Sequence, residues 1–224
     1  MTLPVLSLLE TRVLGVLVEK QHTVPDTYPL TLNALVAGCN QKSSRDPILD
    51  ASDADVQATL DRLKALSLVV ESSGGRVMRY AHNIERVLQI PGQAVALLTA
   101  LILRGPQTVS ELRINCDRIH RFVDISAVEG FLHELADRPA GALVTELPRQ
   151  PGARETRWAH LLSGAAAAET AAGHPAAAPV VTGETVTVSE IAALKANVAH
   201  LEGEIASLKA TVAKLCAELG VVAP

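Results

Sequence analysis

Cys39 and Cys116 have the surroundings in this chain that come nearest to reactive chemistry. Lys42 and Arg45 follow the first thiol, while Arg113, Arg118 and His120 bracket the second. Neighbouring cations lower a thiol pKa and favour the nucleophilic thiolate. No partner completes a catalytic arrangement, because the sequence has no GxxxxGK[ST] loop, GxGxxG turn, HExxH pair or GxSxG elbow. The glycine-rich "SSGG" falls inside an expected hairpin and not at a helix N-terminus, where amides would converge on a phosphate. Cys216 stands far from the other two cysteines, there is no CxxC pair, and the seven histidines offer no metal-ligand spacing. His22, His82 and His160 are expected as surface or packing residues. The reading is a non-enzymatic protein with free thiols, no metal and no cofactor.

Binding chemistry is better represented. The stretch "CNQKSSRDPI", Cys39 to Ile48, places amide, hydroxyl and cationic donors at Asn40, Gln41, Lys42, Ser43, Ser44 and Arg45, and Pro47 opposes a helix running through it. Two readings are open. Such a loop can receive phosphates or carboxylates, or it can cap the preceding helix, with Asn40 suited to a left-handed C-cap. Further cations fall in expected loops and hairpins: Arg76 and Arg79, then Arg113, Arg118 and Arg121, then Arg149, Arg154 and Arg157. Lys42 and Arg45 are expected to join the hairpin arginines in one basic surface for a nucleic acid or a protein partner.

The elements that must position these residues are marked by helix caps. A Ser or Thr followed three residues later by an acid can satisfy orphan amides reciprocally. Ser7/Glu10, Ser52/Asp55, Thr108/Glu111, Ser126/Glu129 and Thr187/Glu190 fit that pattern. Leu9, Val13, Leu14, Leu17 and Val18 form one helical stripe, Leu32, Leu35 and Val36 a second, and Val56, Leu60 and Leu63 a third. The β-like runs "LVVE" and "VMRYA" follow, joined by "SSGGR", so three helices lead into a hairpin. The order recurs as "AVALLTALILRG", "TVSELRINC", "SAVEGFLHELADR" and a hairpin of "ALVTEL" with "TRWAHL". Val128, Leu132 and Leu135 match Val56, Leu60 and Leu63 at an offset of 72 residues. The expected fold is mainly α with small β-hairpins, an α+β arrangement of two tandem winged-helix domains, residues 1–90 and 91–163.

Beyond them, residues 164–186 are rich in Ala, Gly and Pro and have too few large apolar groups to offset ordering, so they read as a linker. Residues 187–220 read as a coiled-coil helix. Its seam is Ile191, Leu194, Val198, Leu201, Ile205, Leu208, Val212, Leu215 and Leu219, spaced alternately three and four apart. β-Branched residues at the first four a positions and Leu at every d favour a parallel pair, and Glu190 and Glu204 at g would face Lys195 and Lys209 at e. A homodimer through this helix is expected; the alternative is a helix folded back on its own chain.

Charge limits the partners. The formal net charge is −4, with 9 Lys or Arg against 10 Asp or Glu in residues 1–90 and 8 of each in 91–162. The expected third helices are acidic where a groove-reading helix meets bases, with Asp53, Asp55 and Asp61 in one and Asp124, Glu129, Glu134 and Asp137 in the other. Carboxylates facing phosphates oppose binding. Two functions fit: the leading expectation is a dimeric regulator touching DNA through wings and loops, and the alternative is a protein-docking scaffold without direct DNA contact. The longest apolar run, "VALLTALIL", is too short to span a bilayer, and "MTLPVLSLLETR" has no basic leader, so a cytoplasmic protein without a membrane partner is expected.

The run "LETRVLGVLVEKQHTVPDTYPLTLNALVAGCNQKSSRDPI", with "VSELR", "FLHELADR" and "RQPGARETRWAHLLSG", closely resembles the YceH family of bacterial proteins over about Leu6 to Gly164. The resemblance implies tandem winged helices. It brings no activity and no partner, and a regulatory or DNA-binding role follows only by analogy of fold. Trp158 stands where an Arg-Tyr pair is more usual in the family, so the aromatic group is kept.

Overall fold

A computed structural model describes residues 4–73, 77–150 and 152–165. The linker, the heptad seam from Ile191 to Leu219, Cys216 and Arg76 lie outside the described residues.

Two successive units share one order of elements, three helices and then a hairpin. The first unit holds α1 (Leu8–Thr23), a 3-10 turn (Pro25–Thr27), α2 (Leu32–Cys39), α3 (Asp53–Ala65), β1 (Val69–Ser73) and β2 (Met78–His82). A short α4 (Ile84–Leu88), not anticipated from the sequence, leads into α5 (Gly92–Arg104), α6 (Val109–Asn115), α7 (Ile125–Ala136), β3 (Val144–Leu147) and β4 (Arg157–His160). The result is a mixed α+β structure with two small antiparallel sheets among the described residues.

Caps explain most helix starts. Ser7, Ser52 and Thr108 each accept from the amide three residues on, while Glu10, Asp55 and Glu111 accept from the cap amide in return. The expected box at Ser126 and Glu129 does not form. Asp124 caps α7 instead, accepting from the Ala127 amide, because its carboxylate meets that need two residues earlier.

The hairpins are built alike. Val70 pairs with Ala81 in the first, and Thr145 with Ala159 in the second. In each unit the segment before the second helix adds one bridge, Leu30 to Tyr80 and Gln107 to Trp158. Tyr80 and Trp158 are buried, so each hairpin sends one aromatic group into the core.

A single apolar cluster runs through both units. Leu14, Leu17, Leu35, Leu60 and Leu63 join Leu97, Leu98, Leu101, Leu132 and Leu135 within it. Gly15 lets α1 and α5 approach, since a Cβ there would lie 2.8 Å from Leu103 Cδ2 and 2.9 Å from Ile102 Cγ2. Close packing leaves no room for that methyl group.

Candidate interaction surfaces

The connection between α2 and α3 begins at Cys39. Its thiol is buried, and burial pushes its pKa up to about 12 against the opposing pull of Arg12 and Arg45. Cys116 stands at the matching place after α6, and burial pushes it up to about 12 as well. Both thiols are protonated at neutral pH, which removes the nucleophile that their cationic neighbours suggest.

Arg45 is the centre of the first connection. Its side chain is 0% exposed and grips Glu19 of α1 at both ends, Nη2 to Oε2 at 2.6 Å and Nη1 to Oε1 at 3.1 Å. Its Nε donates to the Gly38 carbonyl at 3.3 Å and Nη1 to the Ser44 carbonyl at 2.9 Å. Burial alone would raise the Glu19 pKa. The hydrogen bonds and charge of Arg45, with Lys20 beside it, bring it below the ordinary value. A bidentate pair of this kind fixes geometry as well as charge.

Arg12 supports the same loop from beneath. It is wholly buried in α1, and its Nη1 and Nη2 donate to the carbonyls of Cys39 at 3.1 Å and Pro47 at 2.6 Å. Asn40 closes the loop across its base, donating Nδ2 to the Ala51 carbonyl and accepting the Ala51 amide at Oδ1, both at 2.8 Å. The backbone of Asn40, at φ −90°, is not the left-handed cap expected for it.

The far side of the loop is tied to the second unit. The Asp46 amide donates to the Leu103 carbonyl at 2.8 Å, and Arg104 Nη2 donates to Ser44 Oγ at 2.8 Å. Gly105 at φ 74° turns the chain out of α5, and a Cβ there would lie 3.1 Å from Asp46 Oδ2. "CNQKSSRDPI" is therefore a clasp between α1 and the end of α5. The expected basic surface of Lys42 with Arg45 is corrected accordingly: Lys42 is exposed, but Arg45 points inward and is neutralised by Glu19.

The matching connection between α6 and α7 is organised differently. Phe122 is buried, edge-on to His120 and Phe131 at centroid distances of 4.8 and 6.1 Å. Around this anchor the cations face water. Arg113 is exposed and donates Nη2 to the Val123 carbonyl at 3.3 Å. Arg118 is exposed with no partner among the described residues. Arg121 lies 3.4 Å from Asp117 with both side chains exposed, a contact worth about 0.2–1 kcal/mol.

The hairpin arginines also divide. Arg79 donates Nη1 to the carbonyls of Thr27 at 3.2 Å and Pro29 at 2.8 Å, holding the first hairpin to the 3-10 turn. Arg157 is half-buried, 3.8 Å from Glu111. Arg149 and Arg154 are exposed without a carboxylate among the described residues. The solvent faces of α3 and α7 carry Asp53, Asp55 and Asp61 and, in the second unit, Glu129 and Glu134, with Asp137 at its end.

Sequence reasoning missed Arg12, Glu19 and Arg104. A signal existed for the first: an arginine beside Val13 and Leu14 in an apolar helical stripe has to find buried acceptors. It also passed over Ile114, Val123 and Ile125, which are exposed on either side of the second connection. No helix of the described residues is long and apolar enough to cross a membrane. Among those residues no group of His, Cys, Asp and Glu could hold a metal ion.

With this architecture in view, the chain matches the family described as "protein of unknown function, DUF480" over residues 6–153, and it belongs to that family. The match is consistent with the YceH resemblance read from the sequence. Among its relatives is a UPF0502 protein of Dechloromonas aromatica, 58% identical over 199 residues that cover 89% of this chain and 90% of the relative. Another is the UPF0502 protein Mpe_A1449 of Methylibium petroleiphilum, 59% identical over 220 residues covering 98% and 92% of the two chains.

Proposed function

We propose that this protein is a non-enzymatic regulator or adaptor, built from two tandem winged-helix domains, that works by docking a protein partner. The repeated three helices and hairpin support the winged-helix reading, as does the matching bridge from Leu30 to Tyr80 and from Gln107 to Trp158. The observation that carries the docking reading is the acidity of α3 and α7. A winged helix that reads DNA lays its third helix in the major groove. Here that helix exposes Asp53 and Asp55 in its first turn in one unit, with Asp61 further along paired to Lys64 and Arg62 beside it held to Glu10, and Glu129 and Glu134 in the other. Carboxylates in that position repel phosphates, and the first unit's loop arginine is locked to Glu19.

A second reading is a regulator that touches the DNA backbone through the second unit, with little base readout. It is favoured by Arg118, Arg149 and Arg154, which are exposed and unpaired by carboxylates among the described residues. Fluorescence anisotropy of mixed-sequence duplex DNA at about 50 and about 200 mM salt separates the two. The docking reading expects no salt-steep binding. Binding that falls steeply with salt and is lost in an Arg118→Ala/Arg149→Ala/Arg154→Ala variant would put DNA contact in its place.

The heptads of residues 187–220 make the proposed protein a homodimer. Light scattering of the full chain is expected to give about twice the protomer mass of 23.6 kDa, and Leu201→Pro/Leu208→Pro to return one protomer mass.

A further inference from the structure

Single exposed aliphatic residues are ordinary, but three flank one turn of this molecule. Ile114 in the last turn of α6 is 72% exposed, Val123 in the connection 86%, and Ile125 at the start of α7 43%. The bond from Arg113 Nη2 to the Val123 carbonyl draws the two sides of the turn together. Beneath it, the buried Phe122 against Phe131 and His120 holds the turn in shape, which lowers the ordering cost of binding there.

Charge gives the partner a sign. Asp117 lies against Arg121, and Asp124 accepts from the Ala127 amide as the cap of α7. Arg113 and Arg118 then remain exposed with no carboxylate partner among the described residues, Arg113 next to Ile114 and bonded to Val123, and Arg118 within the connection. Glu129 is exposed one helical turn beyond Ile125, so the cations belong to the α6 side of the patch and the acidic margin of a partner would lie there. A duplex backbone would meet the cations and leave Ile114, Val123 and Ile125 in water. An amphipathic helix with an acidic margin meets both. Another exposed apolar group, Val70, Val77 and Met78 at the first hairpin, has Arg79 beside it turned back onto the carbonyls of Thr27 and Pro29.

We infer that the α6–α7 turn is the docking site for an acidic amphipathic helix of a partner protein, with aliphatic side chains on Ile114, Val123 and Ile125 and carboxylates on Arg113 and Arg118. This rests on the protein-docking reading above and names its site and the chemistry of its partner.

The test uses the full chain labelled with 15N and a synthetic helical peptide with leucines at alternating spacings of three and four residues and glutamates between them. Saturable amide shifts are expected at and around Ile114, Val123 and Ile125. Val123→Ser and Arg118→Ala, both at exposed positions, should each weaken binding about tenfold at an unchanged melting temperature. A peptide with lysine in place of every glutamate should not bind. No saturable shift at the turn, or shifts confined to the first hairpin, would overturn the inference. Duplex DNA titrated into a second sample keeps the two claims apart. DNA shifts at the turn without peptide shifts would overturn both the occupant and the docking reading. Peptide shifts elsewhere, with none from DNA, would overturn this site alone.

Discussion

The α2–α3 and α6–α7 connections hold the same place in the two units, carry similar cations, and use them in opposite directions. In the first, Arg45 is drawn inside onto Glu19, while Ser44 and Asp46 fasten the loop to Arg104 and Leu103. In the second, Phe122 turns inward and the arginines stay in water with Ile114, Val123 and Ile125 around them. The difference teaches that a basic loop is defined by what its neighbours offer. α1 provides a carboxylate one helical face away from the first loop. The second turn meets an aromatic cluster and no internal acid for Arg113 or Arg118.

The comparison breaks most visibly at Glu19. Glu19→Ala leaves the Arg45 charge buried without its partner and is expected to cost about 3–5 kcal/mol, read from the denaturant midpoint. Arg12→Met keeps most of the volume but strands the carbonyls of Cys39 and Pro47, and about 3 kcal/mol should be lost in the same measurement. A loss below about 1 kcal/mol in either variant would mean that the first connection is not a clasp.

A third expectation sharpens the comparison at a place where the units should agree. His82 and His160 end β2 and β4, and burial pushes each from 6.5 down to about 4, with a smaller contribution from His22 for the first. Their folded pKa lies below the unfolded one, so the unfolded chain binds the extra protons. Stability is then fully present above about pH 6.5 and falls as pH drops toward about 4, by roughly 3 kcal/mol at most for each histidine. Thermal melts across that window should flatten in steps with His82→Gln and His160→Gln. The smallest effect belongs to the second turn, where Arg118→Ala and Val123→Ser should each change stability by less than about 0.5 kcal/mol.

Much of this architecture was legible in the sequence because local chemistry fixes it. Caps at Ser7, Ser52 and Thr108, the leucine stripes, and the hairpin runs all lie within a few residues of the partners that define them. The directions of the loop arginines were not legible, because Glu19 is 26 residues from Arg45 and Ser44 is 60 from Arg104. Only the packing of α1 against α5 brings those groups to the loop. The exposure of Val123 was hidden for the same reason: in sequence it sits beside Phe122, and the fold alone decides which of the two turns inward.

Amide hydrogen exchange on the full chain tests the contrast between the two connections most directly. The Asp46 amide, bonded to the Leu103 carbonyl, should exchange as slowly as the interior of α1 and α5, while the amides of Arg121 and Val123 exchange much faster. An Asp46 amide that exchanged as fast as those of the second turn would contradict the clasp and return "CNQKSSRDPI" to the surface as a binding loop.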